Sequence, residues 1–192
     1  MKILKINSSG NKAASVSRQY VDKIVAKLVA KNEGCEVVDR DVTYNNLPFV
    51  DETIIGGYFS PEPTAAQQEA LALSNSLANE LIAADVLVIG CPIYNFGMPA
   101  SLKAYIDMVS RAGLTFNMTS EGFVGLAGNK KTYIVVASGG TPVGSPYDFA
   151  TGHLKTALGL LGITDVELVH LDEMLSKGEE KAAAAAAFID AL

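Results

Sequence analysis

The run Val86-Leu87-Val88-Ile89 has an apolar side chain at every position. Side chains of a strand alternate between two faces, so such a run has no face to give to water. It must lie in a sheet covered on both sides, and the usual solution is a parallel sheet with helices above and below.

The rest of the chain repeats this logic. Residues 2–7 and 132–137 read as further apolar strands, and 35–40 and 166–170 complete a set of five. Helical periodicity fills the spaces between them. From Ser17 to Lys31, Val21, Ile24, Val25 and Leu28 share a face, and Gly34 follows as a stop. Thr64 opens a helix with Gln67 at capping-box spacing, and Leu71, Leu77 and Leu81 on its apolar face. Pro99 to Arg111 turns Leu102, Tyr105, Ile106 and Val109 inward. Ser145-Pro146-Tyr147-Asp148 reads as a helix start with Ser145 as N-cap, and Gly162 as the end of that helix. The alanine-rich tail, 180–191, favours a last helix, with Glu179-Glu180 at its start. Strand and helix alternate about five times, with no internal repeat and no linker. The expectation is one α/β domain spanning residues 1–192, a doubly wound parallel sheet in the order 2-1-3-4-5 with helices on both faces.

Two stretches interrupt the alternation. Residues 42–63 form a long connection carrying Asn45-Asn46, Pro48 and Gly56-Gly57, of a size that in loops is often functional. Residues 114–128, with Phe116, Met118, Gly122, Phe123 and Gly125, suit either a small hairpin or a surface excursion.

A chain of 192 residues with 49% apolar and 19% charged residues has the composition of a folded domain. A formal net charge of −6 argues against duplex nucleic acid or an anionic membrane as partner. It leaves room for a single phosphate, which helix-start amides can hold. Two cysteines make no disulfide framework, two histidines stand at no metal-ligand spacing, and the first apolar run is too short for a signal peptide. A reducing cytoplasm is the expected location.

In a doubly wound sheet the ligand lies beyond the carboxyl ends of the strands where the order reverses, here between strands one and three. Three loops meet there. The first, Ser8 to Ser17, lacks both GxGxxG and GxxxxGK[ST]. Its hydroxyls lead into a helix N-terminus and suit a phosphate monoester, although capping by Ser15 or Ser17 alone would also account for them. The second is Pro92-Ile93-Tyr94-Asn95-Phe96-Gly97. Its aromatics and amide suit a planar ring with a polar edge, or, more plainly, Tyr94 and Phe96 are core aromatics. The third, Ala137-Ser138-Gly139-Gly140, permits close backbone approach to a flat ligand, or is a tight turn. A monophosphate tail and a flat tricyclic head together describe flavin mononucleotide. Cys91 reads as a small buried thiol, and Met98, Met108 and Met118 as packing residues.

The segments PIYNF (92–96), PASLKAYID (99–107), RAGLTF (111–116), ASGG (137–140), GITDVE (162–167) and QQEALALS (67–74) closely resemble the flavodoxin-like family of FMN-dependent NADH:quinone oxidoreductases, also called NADH-azoreductases. The likeness runs along essentially the whole chain. It implies that Ser9 and Ser15, Val16 and Ser17 hold the FMN phosphate. Ile93, Tyr94, Asn95 and Phe96 would face the isoalloxazine, with Asn95 and Phe96 tuning N5 and O4. Ala137, Ser138, Gly139 and Gly140 would border the pyrimidine side. It implies one FMN per subunit of a homodimer, NADH as donor, and quinones and azo compounds as acceptors in a ping-pong cycle through flavin N5. Phe116 and residues of the 42–63 connection, from this or the other subunit, would wall the substrate pocket. Some relatives carry an arginine where Gly139 stands, so contacts from that side chain are not expected. No catalytic side-chain triad or metal is expected. The alternatives are a one-electron carrier of the flavodoxin type, an NADPH-dependent FMN reductase, and a doubly wound domain that binds no flavin.

Overall fold

The computed structural model describes residues 1–192. Five strands form one parallel sheet: β1 (Lys2–Asn7), β2 (Glu36–Asp41), β3 (Val86–Pro92), β6 (Lys131–Ala137) and β7 (Val166–Leu171). Between β3 and β6 in sequence lie the two short strands β4 (Phe116–Thr119) and β5 (Gly122–Gly125), an antiparallel hairpin. The sheet order is β2-β1-β3-β6-β7, which is the expected 2-1-3-4-5 counted over the main strands. The helices are α1 (Val16–Lys31), α2 (Glu52–Phe59), α3 (Ala65–Ala83), α4 (Ala100–Val109), α5 (Phe149–Leu160) and α6 (Met174–Ala191).

The apolar runs divide between two cores as strand alternation requires. Leu87, Ile89 and Cys91 of β3 pack with Leu71, Leu77 and Leu81 of α3, Leu102 of α4 and Leu154 of α5. Val86 and Val88 point the other way, with Val21 and Ile24 of α1 and Ile189 of α6. Every residue of β3 is buried. None of the helices is long and apolar enough to cross a membrane.

The structure corrects the sequence reading at three places. The 42–63 connection contains a helix, α2, whose N-cap Asp51 accepts from the Ile54 amide at 2.9 Å. Gly56-Gly57 weakens helix propensity locally, but the missing side chains allow close approach of α3. A Cβ at Gly57 would stand 2.9 Å from Leu71 Cδ1. At α5 the cap is Asp148 rather than Ser145. Its carboxylate accepts from the amides of Ala150 at 3.1 Å and Thr151 at 2.9 Å, while Ser145 closes the preceding turn through its carbonyl. Finally, α6 begins at Met174, six residues early, because the amides of Met174 and Leu175 donate to the carbonyls of Ser138 and Gly139 and anchor the first turn. A kink at Lys177 follows, so Glu179-Glu180 stand inside the helix. The 114–128 stretch is the hairpin alternative. It sits on the end of α5, with no room for a Cβ at Gly125, whose nearest neighbour would be the Gly162 nitrogen at 2.0 Å.

Candidate functional site

The loops after β1, β3 and β6 surround a cavity of about 380 Å³ at the carboxyl edge of the sheet. Ser9, Ser15, Val16, Ser17, Ile93, Tyr94, Ala137, Ser138 and Gly139 line it, as the strand order predicts. Asn11, Ala14, Pro92 and Met174 complete the lining. Of these, Met174 was out of reach of the sequence argument, because it depends on the early start of α6. Asn11 was legible as a short polar side chain in the first loop, since it accepts from the Ala14 amide at 2.9 Å and shapes the turn.

The first loop offers donors. Ser15 is the N-cap of α1, accepting from the Arg18 amide at 3.3 Å, and its hydroxyl lies 3.1 Å from that of Ser17. Ser9, Ser15 and Ser17 are all buried. The amides of Val16 and Ser17, at the positive end of the helix, donate to no group of the chain. No Lys or Arg lines the cavity. Arg18 instead pairs with Asp41 at 2.7 Å and 3.1 Å, and Lys12 stacks over the Tyr44 ring at 3.9 Å.

The second loop is a tight reversal. Tyr94 and Gly97 exchange backbone hydrogen bonds of 2.9 Å and 3.1 Å, and the two central residues are both left-handed, Asn95 at φ 49 and Phe96 at φ 71. Such turns normally place Gly at the second position; a phenylalanine there carries local strain. The Phe96 carbonyl accepts from the Phe149 amide at 3.0 Å, and its ring meets Tyr147 at 5.8 Å, which helps hold the turn. Tyr94 does not behave as a core aromatic. Its ring lines the cavity, and its hydroxyl lies 3.1 Å from Ser9 Oγ and accepts from the Gly10 amide at 3.2 Å. Asn95 and Phe96 stand outside the lining and are exposed, as is Gly140.

The third loop is braced by two aspartates. Asp172 accepts from the Val143 amide at 2.7 Å and pairs with Lys181 at 2.7 Å. Asp148 accepts from the Gly144 amide at 2.9 Å. Burial pushes both carboxyls up, but the hydrogen bonds outweigh it, from Lys181 and Val143 at Asp172 and from Thr151, Gly144 and Ala150 at Asp148. Both stay below the usual carboxylate range. Gly139 is packed closely by Leu175; a Cβ there would lie 3.2 Å from its Cδ1.

Two other candidates fall elsewhere. Phe116 pairs with Gly125 in the hairpin, meets Phe123 edge-on at 6.0 Å, and does not line the cavity. Cys91 is fully buried, and burial, helped by the Asp148 charge, pushes its thiol up to about 12. It is not a nucleophile at neutral pH.

Known proteins are similar to this chain in sequence and fold. All 192 residues match the family model described as a flavodoxin-like fold. An azoreductase from Bacillus anthracis has a similar structure, with a TM-score of 0.87 and 28% identity over 98% of this chain and 95% of its own. The chain therefore belongs to the flavodoxin-like proteins. Within them it is 48% identical to FMN-dependent NADH:quinone oxidoreductase 1 of Hahella chejuensis, over 91% of this chain and 86% of the relative. It is 49% identical to the protein of the same name from Jannaschia sp., over 90% and 88%. It is a member of the FMN-dependent NADH:quinone oxidoreductase family.

Proposed function

We propose that this protein is an FMN-dependent oxidoreductase that uses NADH to reduce quinones to hydroquinones and to cleave aromatic azo bonds. The observation that carries the reading is the chemistry of the cavity's donor set. Three buried serine hydroxyls and the unpaired amides of Val16 and Ser17 gather at the start of α1, where the helix dipole favours a phosphate. Ile93, Ala137 and Gly139 supply apolar and backbone surface for a flat ring. This set fits FMN, and an acidic protein needs no basic side chain to use it.

When bound, FMN would supply the two-electron redox chemistry between NADH and the acceptor, with donor and acceptor using one place in turn. The protein binds, orients and tunes. Asn95 and Phe96 present backbone amides that donate to no other group of the chain, and we assign them to the ring edge at N5 and O4, where they would hold and tune the flavin. The exposed rings of Phe96 and Tyr147 offer stacking surface to the nicotinamide or the acceptor.

We further infer a homodimer with one FMN per subunit. Phe96, Tyr147 and Phe149 leave an apolar patch exposed, and a cleft of about 660 Å³ between α4, α5 and the hairpin includes Ile106, Phe123 and Leu160. A second copy covering these surfaces would enclose the substrate place. Both cysteines are free, which suits the cytoplasm.

The test is direct. Purified protein reconstituted with FMN should show a flavin spectrum, bleach on rapid mixing with NADH, and turn over a benzoquinone and an azo dye. Failure to retain FMN would end this reading. Retention without bleaching by NADH would leave a one-electron carrier, and faster bleaching by NADPH would reassign the donor. Size-exclusion chromatography with light scattering should give twice the mass of the 20.2 kDa chain.

A further inference from the structure

Behind the first loop, the turn that follows β2 makes contacts that the cavity itself does not need. The carbonyls of Ser8, Ser9 and Gly10 are three in succession, and each is held by a side chain outside the loop. Thr43 Oγ1 donates to the Ser8 carbonyl at 2.8 Å. Arg18 donates to the Ser9 carbonyl at 2.6 Å while its guanidinium is docked on Asp41. The Tyr44 hydroxyl donates to the Gly10 carbonyl at 2.6 Å. The segment from Asp41 to Tyr44 thus pins three consecutive peptide planes, and Asp41 orders that segment in turn by accepting from the amides of Thr43 and Tyr44, each at 3.2 Å.

In a trans peptide the N–H points opposite to the carbonyl. Pinning the Ser9 and Gly10 carbonyls outward therefore fixes the amides of Gly10 and Asn11 toward the other side. There they meet the Tyr94 hydroxyl at 3.2 Å and the Ser9 hydroxyl at 3.2 Å, on two residues that line the cavity. The negative ends of three peptide dipoles are turned away and the positive ends inward. Asp41, the carboxylate that orders this turn, is paired with Arg18. In a chain of net charge −6 this arrangement makes room for a dianion.

We propose that Asp41–Tyr44 is a positioning device for the phosphate, with Thr43 and Tyr44 setting the peptide planes of residues 8–11 although neither lines the cavity. The long connection that begins at Val42 then serves the cofactor's tail at its near end. The inference rests on the reading of the first loop as the phosphate loop.

The experiment compares FMN with riboflavin, which has the same ring and no phosphate, by fluorescence titration of the apoprotein. Ser9→Ala/Ser17→Ala tests the underlying reading. It should weaken FMN and leave riboflavin unchanged; if it affects both equally or neither, the phosphate-loop reading fails. Thr43→Val/Tyr44→Phe tests the inference. FMN affinity should fall about tenfold or more, the loss expected for two neutral hydrogen bonds, while riboflavin affinity holds. Thr43→Ser, which keeps the hydroxyl, should restore most of the Thr43 share. Retained riboflavin binding reports a folded protein. Unchanged FMN affinity in the double variant, or equal losses for both flavins, overturns the proposal even where the serine variant behaves as expected.

Discussion

The loops after β1 and β3 face each other across one cavity and are built on opposite plans. The first keeps its functional groups inside: Ser8, Ser9, Ser15 and Ser17 are buried, and side chains behind the loop hold its carbonyls. The second leaves the side chains of its turn exposed, with Tyr94 44% and Phe96 52% exposed, and achieves its shape through two left-handed residues. A dianion needs donors aimed before it arrives, because reorienting dipoles at the moment of binding would consume the gain. A flat ring needs a surface and a few amides at its edge, and a strained turn can present both. The contrast predicts that the first loop is sensitive to side-chain chemistry and the second to backbone conformation.

The largest effect should come from the first loop. Removing two hydroxyls in Ser9→Ala/Ser17→Ala should raise the Kd for FMN roughly 100-fold or more, since hydrogen bonds to a charged group contribute about 1.5–3 kcal/mol each. Isothermal titration would show it, with riboflavin as the comparison. A change under threefold would break the contrast.

The second loop should respond to a different pair. Asn95→Gly removes the side chain and keeps access to φ 49; Asn95→Ala removes the same side chain and strains the turn. The Asn95 amide group bonds to nothing in the chain and lies outside the cavity lining. We expect Asn95→Gly to keep turnover within about twofold. Asn95→Ala should lose turnover several-fold with a stability cost of about 1–2 kcal/mol. Equal losses in both variants would show that the side chain, rather than the turn, carries the role.

The same contrast explains what could be read from the sequence. The sheet and its order were legible because an all-apolar strand such as Val86–Ile89 admits few arrangements. The serines of the first loop were legible because chemistry and position agreed. The conformation of Asn95-Phe96 was not, since Phe is a poor residue for a positive φ and only the tertiary contacts of Phe96 with Phe149 and Tyr147 make it tenable. Helix α2 was hidden by Gly56-Gly57, which reads as a breaker until α3 is seen against it. Met174 and the bracing by Thr43 and Tyr44 depend on contacts between loops far apart in sequence, which periodicity does not carry.

A smaller effect follows from the charge behind the first loop. Burial pushes the Asp41 carboxyl up. The Arg18 guanidinium, with the amides of Tyr44 and Thr43, more than reverses this and holds it below its usual range. A lowered folded pKa stabilises the fold above the ordinary carboxylate value, and that contribution disappears as pH falls through the lowered one. The stability difference between wild type and Asp41→Asn in denaturant should thus be constant from about pH 8 to pH 5 and shrink below about pH 4. Lys5, Lys12, Asp22 and Asp39 share the cleft with Asp41 and Arg18, and they remain in both proteins, so the comparison isolates Asp41. A difference that grows as the solution is acidified would contradict the ion pair.

The smallest effect is expected one residue before the second loop. Cys91 sits at the end of β3 next to Pro92, close enough to the cavity to invite a chemical role. Its thiol is fully buried among the core residues of the α3–α4–α5 face and pushed up to about 12, so almost none is thiolate at neutral pH. Cys91→Ala removes one sulfur from a packed core, which costs about 1 kcal/mol of stability, and turnover with NADH and a quinone should be unchanged. Iodoacetamide should label the half-buried Cys35 in the native protein and reach Cys91 only after unfolding. Lost turnover in Cys91→Ala, with FMN still bound, would move chemistry from the bound cofactor to the protein. The second loop would then be more than a shaped surface.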